Sequence, residues 1–175
     1  MDAIHVRGGN RLFGETKIQG SKNAVLPILA AALLIEDVCV IENCPRISDV
    51  HHMLMLLEEI GCKVKRSDKA VTIDARYLSK DTMSGENVTG MRSSIMLLGA
   101  MLGRVGEVTM AYPGGCVIGE RPIDLHLSAL RKMGVRIYEK EGFFTAKAVK
   151  LEGSVIRLSI SSVGVTENVL LAAVR

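Results

Sequence analysis

The segment YPGGCVIGERPIDLH, residues 112 to 126, holds the side chains best suited to chemistry. Its glycines and prolines make a loop whose backbone can take unusual dihedrals and approach a ligand closely. Cys116 lies inside it, and Arg121 follows just before Pro122, an arrangement that suits the first turn of a helix. A thiol on a glycine-rich loop, beside a guanidinium and a helix N-terminus, is in the setting where its pKa falls and proton transfer becomes possible. A free cysteine is as readily a small buried hydrophobe, and composition alone does not choose between the two.

Two more cations recur at matching places. Lys22 opens the apolar run SKNAVLPILAAALLI, and Arg92 opens a second one, SSIMLLGAMLGRV. A cation beside the unpaired N–H groups of a helix start makes an anion site, so Lys22, Arg92 and Arg121 are candidates for holding phosphate. A single basic residue at a helix end is ordinarily just solvated; the recurrence is what carries weight. SSVG, residues 161 to 164, is a third polar turn before an apolar helix. His51 and His52 are neighbours on one helix and diverge, so they read as surface residues rather than ligands of one metal. His126 either reaches a ligand or packs a helix. Cys39 and Cys62 read as structural, while Asp49 and Asp124 open equivalent helices and favour their dipoles.

The elements that must position these groups come as a repeat. The first apolar run, with Ser21 as N-cap, is hydrophobic all round and is expected to be buried on every side, with Pro27 bending or interrupting it. A strand at Val38 to Ile41 follows, then an amphipathic helix from about Ser48 carrying Val50, Leu54, Leu57 and Ile60, then paired strands CKVKR and AVTIDA. The second unit repeats the order: SSIMLLGAMLGRV, EVTMAY, IDLHLSALRKMG, VRIYEKEGFFTAKA. Gly61 and Gly134 close equivalent helices, a period of roughly 70 residues, longer than solenoid repeats. The expected fold class is α/β (α+β), with modules at 21–88 and 89–160 and a third beginning at 161–175. A buried helix without its covering partners would leave apolar surface open, so the chain reads as cut short.

Bulk properties exclude several classes. The 175 residues are 48% hydrophobic and 23% charged with a net charge of +3, too small for a strong nucleic-acid or membrane field. With 3% aromatics and no Trp there is little to stack bases on. The N-terminus lacks the pattern of a secretory signal and no apolar run is long enough to span a bilayer, so a cytoplasmic location is expected. The four cysteines match no zinc spacing and are expected to be reduced.

SKNAVLPILAAALL, TGMRSSIMLLGAML, PGGCVIGERPIDLH and SVGVTEN closely resemble, in order and spacing, segments of the UDP-N-acetylglucosamine 1-carboxyvinyltransferase family. The resemblance runs from Ile4 to Val174. It implies an enolpyruvyl transferase fold of two lobes, each of three modules, with residues 1–20 crossing to the other lobe. The implied reaction moves the enolpyruvyl group of phosphoenolpyruvate to the sugar 3-hydroxyl of UDP-N-acetylglucosamine and releases phosphate, a step of peptidoglycan precursor synthesis.

By the same resemblance Cys116 matches the catalytic cysteine, the target of fosfomycin, on a loop that closes over the cleft. Lys22, Asn23 and Arg121 match contacts to phosphoenolpyruvate. Arg92, Arg121, Pro122, Ile123, Asp124, Leu125, Ser162, Val163 and Gly164 match contacts to the nucleotide sugar. Val165 stands where alanine is more usual. No metal or cofactor is implied. The base for the sugar hydroxyl and a further arginine belong to the second lobe, so this chain is expected to be inactive alone. A binding module without catalysis and the shikimate-pathway transferase are the competing readings; the cysteine loop argues against the latter.

Overall fold

The computed structural model describes residues 3–68, 70–114 and 123–174. Residues 3–20 run in an irregular exposed path, and helix α1 begins at Lys22–Ala31, continued by a 3-10 turn at Ala32–Leu34. The expectations for this run need two corrections. Pro27 does not interrupt α1, which continues through it. Nor is the helix buried all round: Val25, Leu26, Leu29 and Ala30 face inward, while Ala24 and Ile28 are exposed. A proline in the body of a helix removes the N–H that would bond to the residue four back, here the Asn23 carbonyl.

Strand β1 (Val38–Glu42), helix α2 (Ser48–Glu59) and strands β2 (Lys63–Arg66) and β3 (Ala70–Asp74) complete the first unit. The sheet order is β1-β3-β2, antiparallel throughout, with Cys39 opposite Ile73 and Val64 opposite the same residue on the other side. Alternation along β3 turns Val71 and Ile73 into the core. Helix α2 is amphipathic as its spacing requires, burying Val50, Met53, Leu54, Leu56 and Leu57. Gly61 ends it at φ +111, a conformation L side chains rarely adopt. Gly134 takes φ +89 after the corresponding helix of the second unit.

The second unit adds β4 (Thr82–Met83), a short α3 (Glu86–Thr89), a 3-10 turn at Arg92–Ile95, α4 (Met96–Val105), β5 (Glu107–Ala111), α5 (Asp124–Lys132), β6 (Arg136–Lys140) and β7 (Phe143–Lys147). Its sheet runs β4-β5-β7-β6, with β4 parallel to β5 and the other pairs antiparallel. Thr109 and Thr145 face each other on its outer side with hydroxyls 2.9 Å apart, while Val108, Met110, Phe144 and Ala146 face the core. The last helix, α6, spans Val163–Ala173.

Helix α4 is the hub, buried from Met96 to Leu102 and packed against α1, α6 and β5. Its approach to α6 depends on Gly99: a Cβ there would lie 2.1 Å from the Asn168 carbonyl oxygen, so no other residue fits without moving a helix. Gly103, one turn on, would meet the Leu171 carbonyl at 3.0 Å. Arg104 ties the hub to the first unit, donating from Nη2 to the Ala75 and Arg76 carbonyls at 3.2 and 3.4 Å, with Nη1 3.5 Å from Glu36. No helix among the described residues is long and apolar enough to cross a membrane.

Candidate functional site

The three polar turns that the repeat sets before apolar helices converge. A cleft of about 390 Å³ is lined by Asn23 and Pro27 of α1, Arg92 and Ser93 of the 3-10 turn leading into α4, and Ser162, Val163 and Gly164 at the start of α6. His126 of α5 and Glu167 of α6 complete the polar lining. Packing of α4 against both α1 and α6 is what brings the three helix starts to one place.

The start of α6 is built to present donors. The Ser162 hydroxyl accepts from the Val165 N–H at 3.3 Å, and the Ser162 carbonyl accepts from Thr166 at 3.1 Å. Val163 and Gly164 precede those residues, and first-turn N–H groups have no carbonyl within their own helix to bond to. At Gly164 the wall is close, since a Cβ would lie 3.1 Å from Met96 Cε.

His126 is 4% exposed although it lines the cleft. Burial first, and the Arg92 charge second, lower its pKa to about 4, so the ring is neutral at pH 7. Its Nδ1 lies 3.0 Å from Nδ2 of Asn168, which is itself buried. The Asn168 Oδ1 accepts from the Gly99 N–H at 2.7 Å. Burial raises the pKa of Glu167.

The other candidate residues stand as follows. Lys22 is half-exposed and paired with Asp49 at 2.6 Å, so the two helix starts, α1 and α2, share a charge contact. Ile123 is buried, Asp124 exposed in the first turn of α5, and Leu125 half-buried; none of the three lines this cleft. Cys116, Arg121 and Pro122 lie outside the described residues. The chain reaches that segment at Gly114, where a Cβ would fall 1.4 Å from the Thr89 carbonyl oxygen; only glycine packs there, just before Arg92. Burial raises the pKa of Cys44, and raises that of Cys62 to about 11, so neither is a ready nucleophile. Among the described residues no group of His, Cys, Asp or Glu is placed to hold a metal ion.

Sequence reasoning left His126 open and passed over Asn168, Glu167 and Gly114. Asn168 carried a usable signal: it is a polar residue at helical spacing between Val165 and Leu171, on the face that turns out to be buried.

The chain is similar to known proteins along nearly all its length. The sequence family described as EPSP synthase (3-phosphoshikimate 1-carboxyvinyltransferase) matches residues 6–175. A "UDP-N-acetylglucosamine 1-carboxyvinyltransferase 2" of Caldanaerobacter subterraneus subsp. tengcongensis is 47% identical over 173 residues, 99% of this chain and 42% of that protein. A "UDP-N-acetylglucosamine 1-carboxyvinyltransferase 1" of Symbiobacterium thermophilum is 45% identical, over 97% of this chain and 40% of that protein. The chain therefore spans about two fifths of the length of these relatives.

Among solved structures, the enolpyruvyl transferase NikO from Streptomyces tendae superposes with a TM-score of 0.77 at 22% identity, covering 94% of this chain and 39% of that one. An EPSP synthase from Acinetobacter baumannii superposes with a TM-score of 0.66 at 20% identity, covering 91% and 37%. The repeated modules are thus those of the enolpyruvyl transferase fold, and the chain belongs to the family of EPSP synthase (3-phosphoshikimate 1-carboxyvinyltransferase).

Proposed function

We propose that this chain supplies the nucleotide-sugar side of the active site of a UDP-N-acetylglucosamine 1-carboxyvinyltransferase. The observation that carries the reading is the convergence of Asn23, Arg92 and the Ser162–Gly164 turn on one cleft. Helix-start N–H groups and a guanidinium suit a diphosphate, which offers acceptor oxygens and negative charge together. Names of relatives at 40–47% identity point to the same substrate. The acceptor hydroxyl would lie toward Asn23, and the enolpyruvyl donor toward Lys22 and the segment carrying Cys116 and Arg121.

In the proposed reaction Cys116 donates a proton to the enol carbon of phosphoenolpyruvate. That carbon becomes a methyl group and its neighbour the cationic centre, which the sugar 3-hydroxyl attacks as a base from the second lobe takes the hydroxyl proton. The tetrahedral adduct then loses phosphate together with a proton of the methyl group, leaving the enolpyruvyl ether. Positive charge on Lys22, Arg92 and Arg121 stabilises phosphate in both substrates and in the departing product. Exclusion of water matters because the cationic carbon is open to hydrolysis. A cytoplasmic location, a role in peptidoglycan precursor synthesis and sensitivity to fosfomycin follow from this reading.

The family match also admits 3-phosphoshikimate as acceptor, because the matching family is described by that substrate. Phosphate release from phosphoenolpyruvate by the full-length protein, measured with each acceptor in turn, separates the two. Turnover with UDP-N-acetylglucosamine and none with 3-phosphoshikimate is expected, and the reverse pattern overturns the proposal. Loss of that turnover in Cys116→Ala checks the assignment of the acid.

A further inference from the structure

The hydrogen-bond chain Gly99–Asn168–His126 fixes where one proton sits. A backbone N–H can only donate, so the Asn168 atom 2.7 Å from Gly99 N is the amide oxygen. The amide nitrogen therefore faces the imidazole, 3.0 Å from Nδ1. That NH₂ also only donates, so Nδ1 must accept with its lone pair, and the ring proton is left on Nε2. Protonating Nδ1 as well would set two donors against each other.

The free edge of the ring points toward the cleft. A Cβ built on Gly164 would lie 3.7 Å from His126 Cε1 and 3.9 Å from Nε2, so that edge stands against the turn where the unpaired N–H groups of α6 begin. The absence of a side chain at Gly164 is what leaves space between them. Arg92, from the turn before α4, and Glu167, from α6, are the charged side chains that share this lining.

We propose that Asn168 is a positioning residue that holds His126 as a neutral Nε2–H donor, aimed at an anionic oxygen of the diphosphate bound at the Val163–Gly164 turn. This rests on the diphosphate reading of the cleft. A neutral donor here adds a hydrogen bond without adding a charge that varies with pH. Burial of the Asn168 amide against Gly99 makes its orientation a property of helix packing, not of the ligand.

The test uses the intact protein and has two parts. First, without ligand, ¹H–¹⁵N correlation of the histidine rings reports the tautomer: His126 is expected to show a protonated Nε2 and a bare Nδ1 at pH 7. A protonated Nδ1 overturns the proposal. Second, binding of UDP is measured against uridine in wild type, Asn168→Asp and His126→Phe. Aspartate keeps an acceptor for Gly99 but turns an acceptor toward the ring, which draws the proton to Nδ1. UDP affinity is expected to fall about tenfold in both variants, the scale of one lost hydrogen bond to a charged group, with uridine affinity unchanged.

Wild-type UDP affinity in both variants leaves His126 a packing residue and overturns the proposal. So does equal weakening of uridine and UDP. If wild-type protein fails to bind UDP while the ring shows the expected tautomer, the diphosphate reading has failed, and the assignment of the ligand with it. Because His126→Phe keeps a ring of similar size and removes the donor, it keeps the comparison open if Asn168→Asp does not fold.

Discussion

Acid should destabilise this protein through His126 in a window set by its burial. The folded ring takes a proton only near pH 4, whereas in an unfolded chain histidine does so at about 6.5. As pH falls below 6.5 the unfolded state gains the proton first, so stability is lost progressively down to the folded value and no further. Between pH 7 and pH 5 the loss from this one group is about 2 kcal/mol, from the ratio of protons bound by the two states.

Other groups act in the same experiment. Glu167, with its carboxyl raised by burial, gains its proton earlier when folded and so adds stability as pH falls. Asp74, held down to about 2 by the hydrogen bonds from Arg76, loses stability only at more acid pH. Comparison with His126→Gln cancels both. Urea unfolding of each protein at pH 7 and pH 5 should show wild type losing about 2 kcal/mol more than the variant, on the linkage argument above. Equal losses refute the claim that the ring is buried neutral.

Further predictions concern packing and the cleft. Gly99→Ala places a methyl against the Asn168 carbonyl at 2.1 Å and disturbs the α4–α6 contact; a loss of roughly 3 kcal/mol in urea unfolding is expected, at the upper end for overpacking. Leu97→Ala, at a side chain with no exposure, should cost about 2–5 kcal/mol in the same assay. Arg92→Ala should weaken UDP binding by about tenfold or more, read by calorimetry, while leaving the unfolding midpoint nearly unchanged because the residue lies at the cleft and not in the core. Gly114→Ala forces a methyl onto the Thr89 carbonyl and, on the proposed function, should lower turnover of phosphoenolpyruvate and UDP-N-acetylglucosamine by the full-length protein.

The modules were legible because their signals are local. Helical period placed α2 from about Ser48, and β3 and β7 fall in the expected strand segments, where Val71 and Ile73, or Phe144 and Ala146, share a face. The recurrence of a polar turn before each apolar helix pointed to Lys22, Arg92 and the turn at 161–164 as one set, and the cleft takes in Arg92 and Ser162–Gly164 but is lined at α1 by Asn23, not by Lys22. What period alone misjudged was the burial of α1, whose apolar residues include an exposed Ile28, because hydrophobicity does not say how many neighbours a helix will have.

Long-range contacts explain the rest. His126 and Asn168 are 42 residues apart and meet only because α5 and α6 pack together. The pairing of Thr82–Met83 with β5 is parallel and crosses two helices in sequence, so no turn signal announces it. Gly99 looked like one more small residue in an apolar run until a helix was found lying against it.

The central claim is that the start of α6 binds the diphosphate of a nucleotide sugar. Titration of the ¹⁵N-labelled intact protein with UDP-N-acetylglucosamine tests it most directly, followed at the backbone amides. The account predicts that the Val163 and Gly164 N–H signals move downfield as they gain an acceptor, with the Arg92 side chain responding at the same concentration. Unmoved Val163 and Gly164 signals under saturating ligand, with shifts instead around the Arg46, His51 and Arg66 hollow, would contradict it.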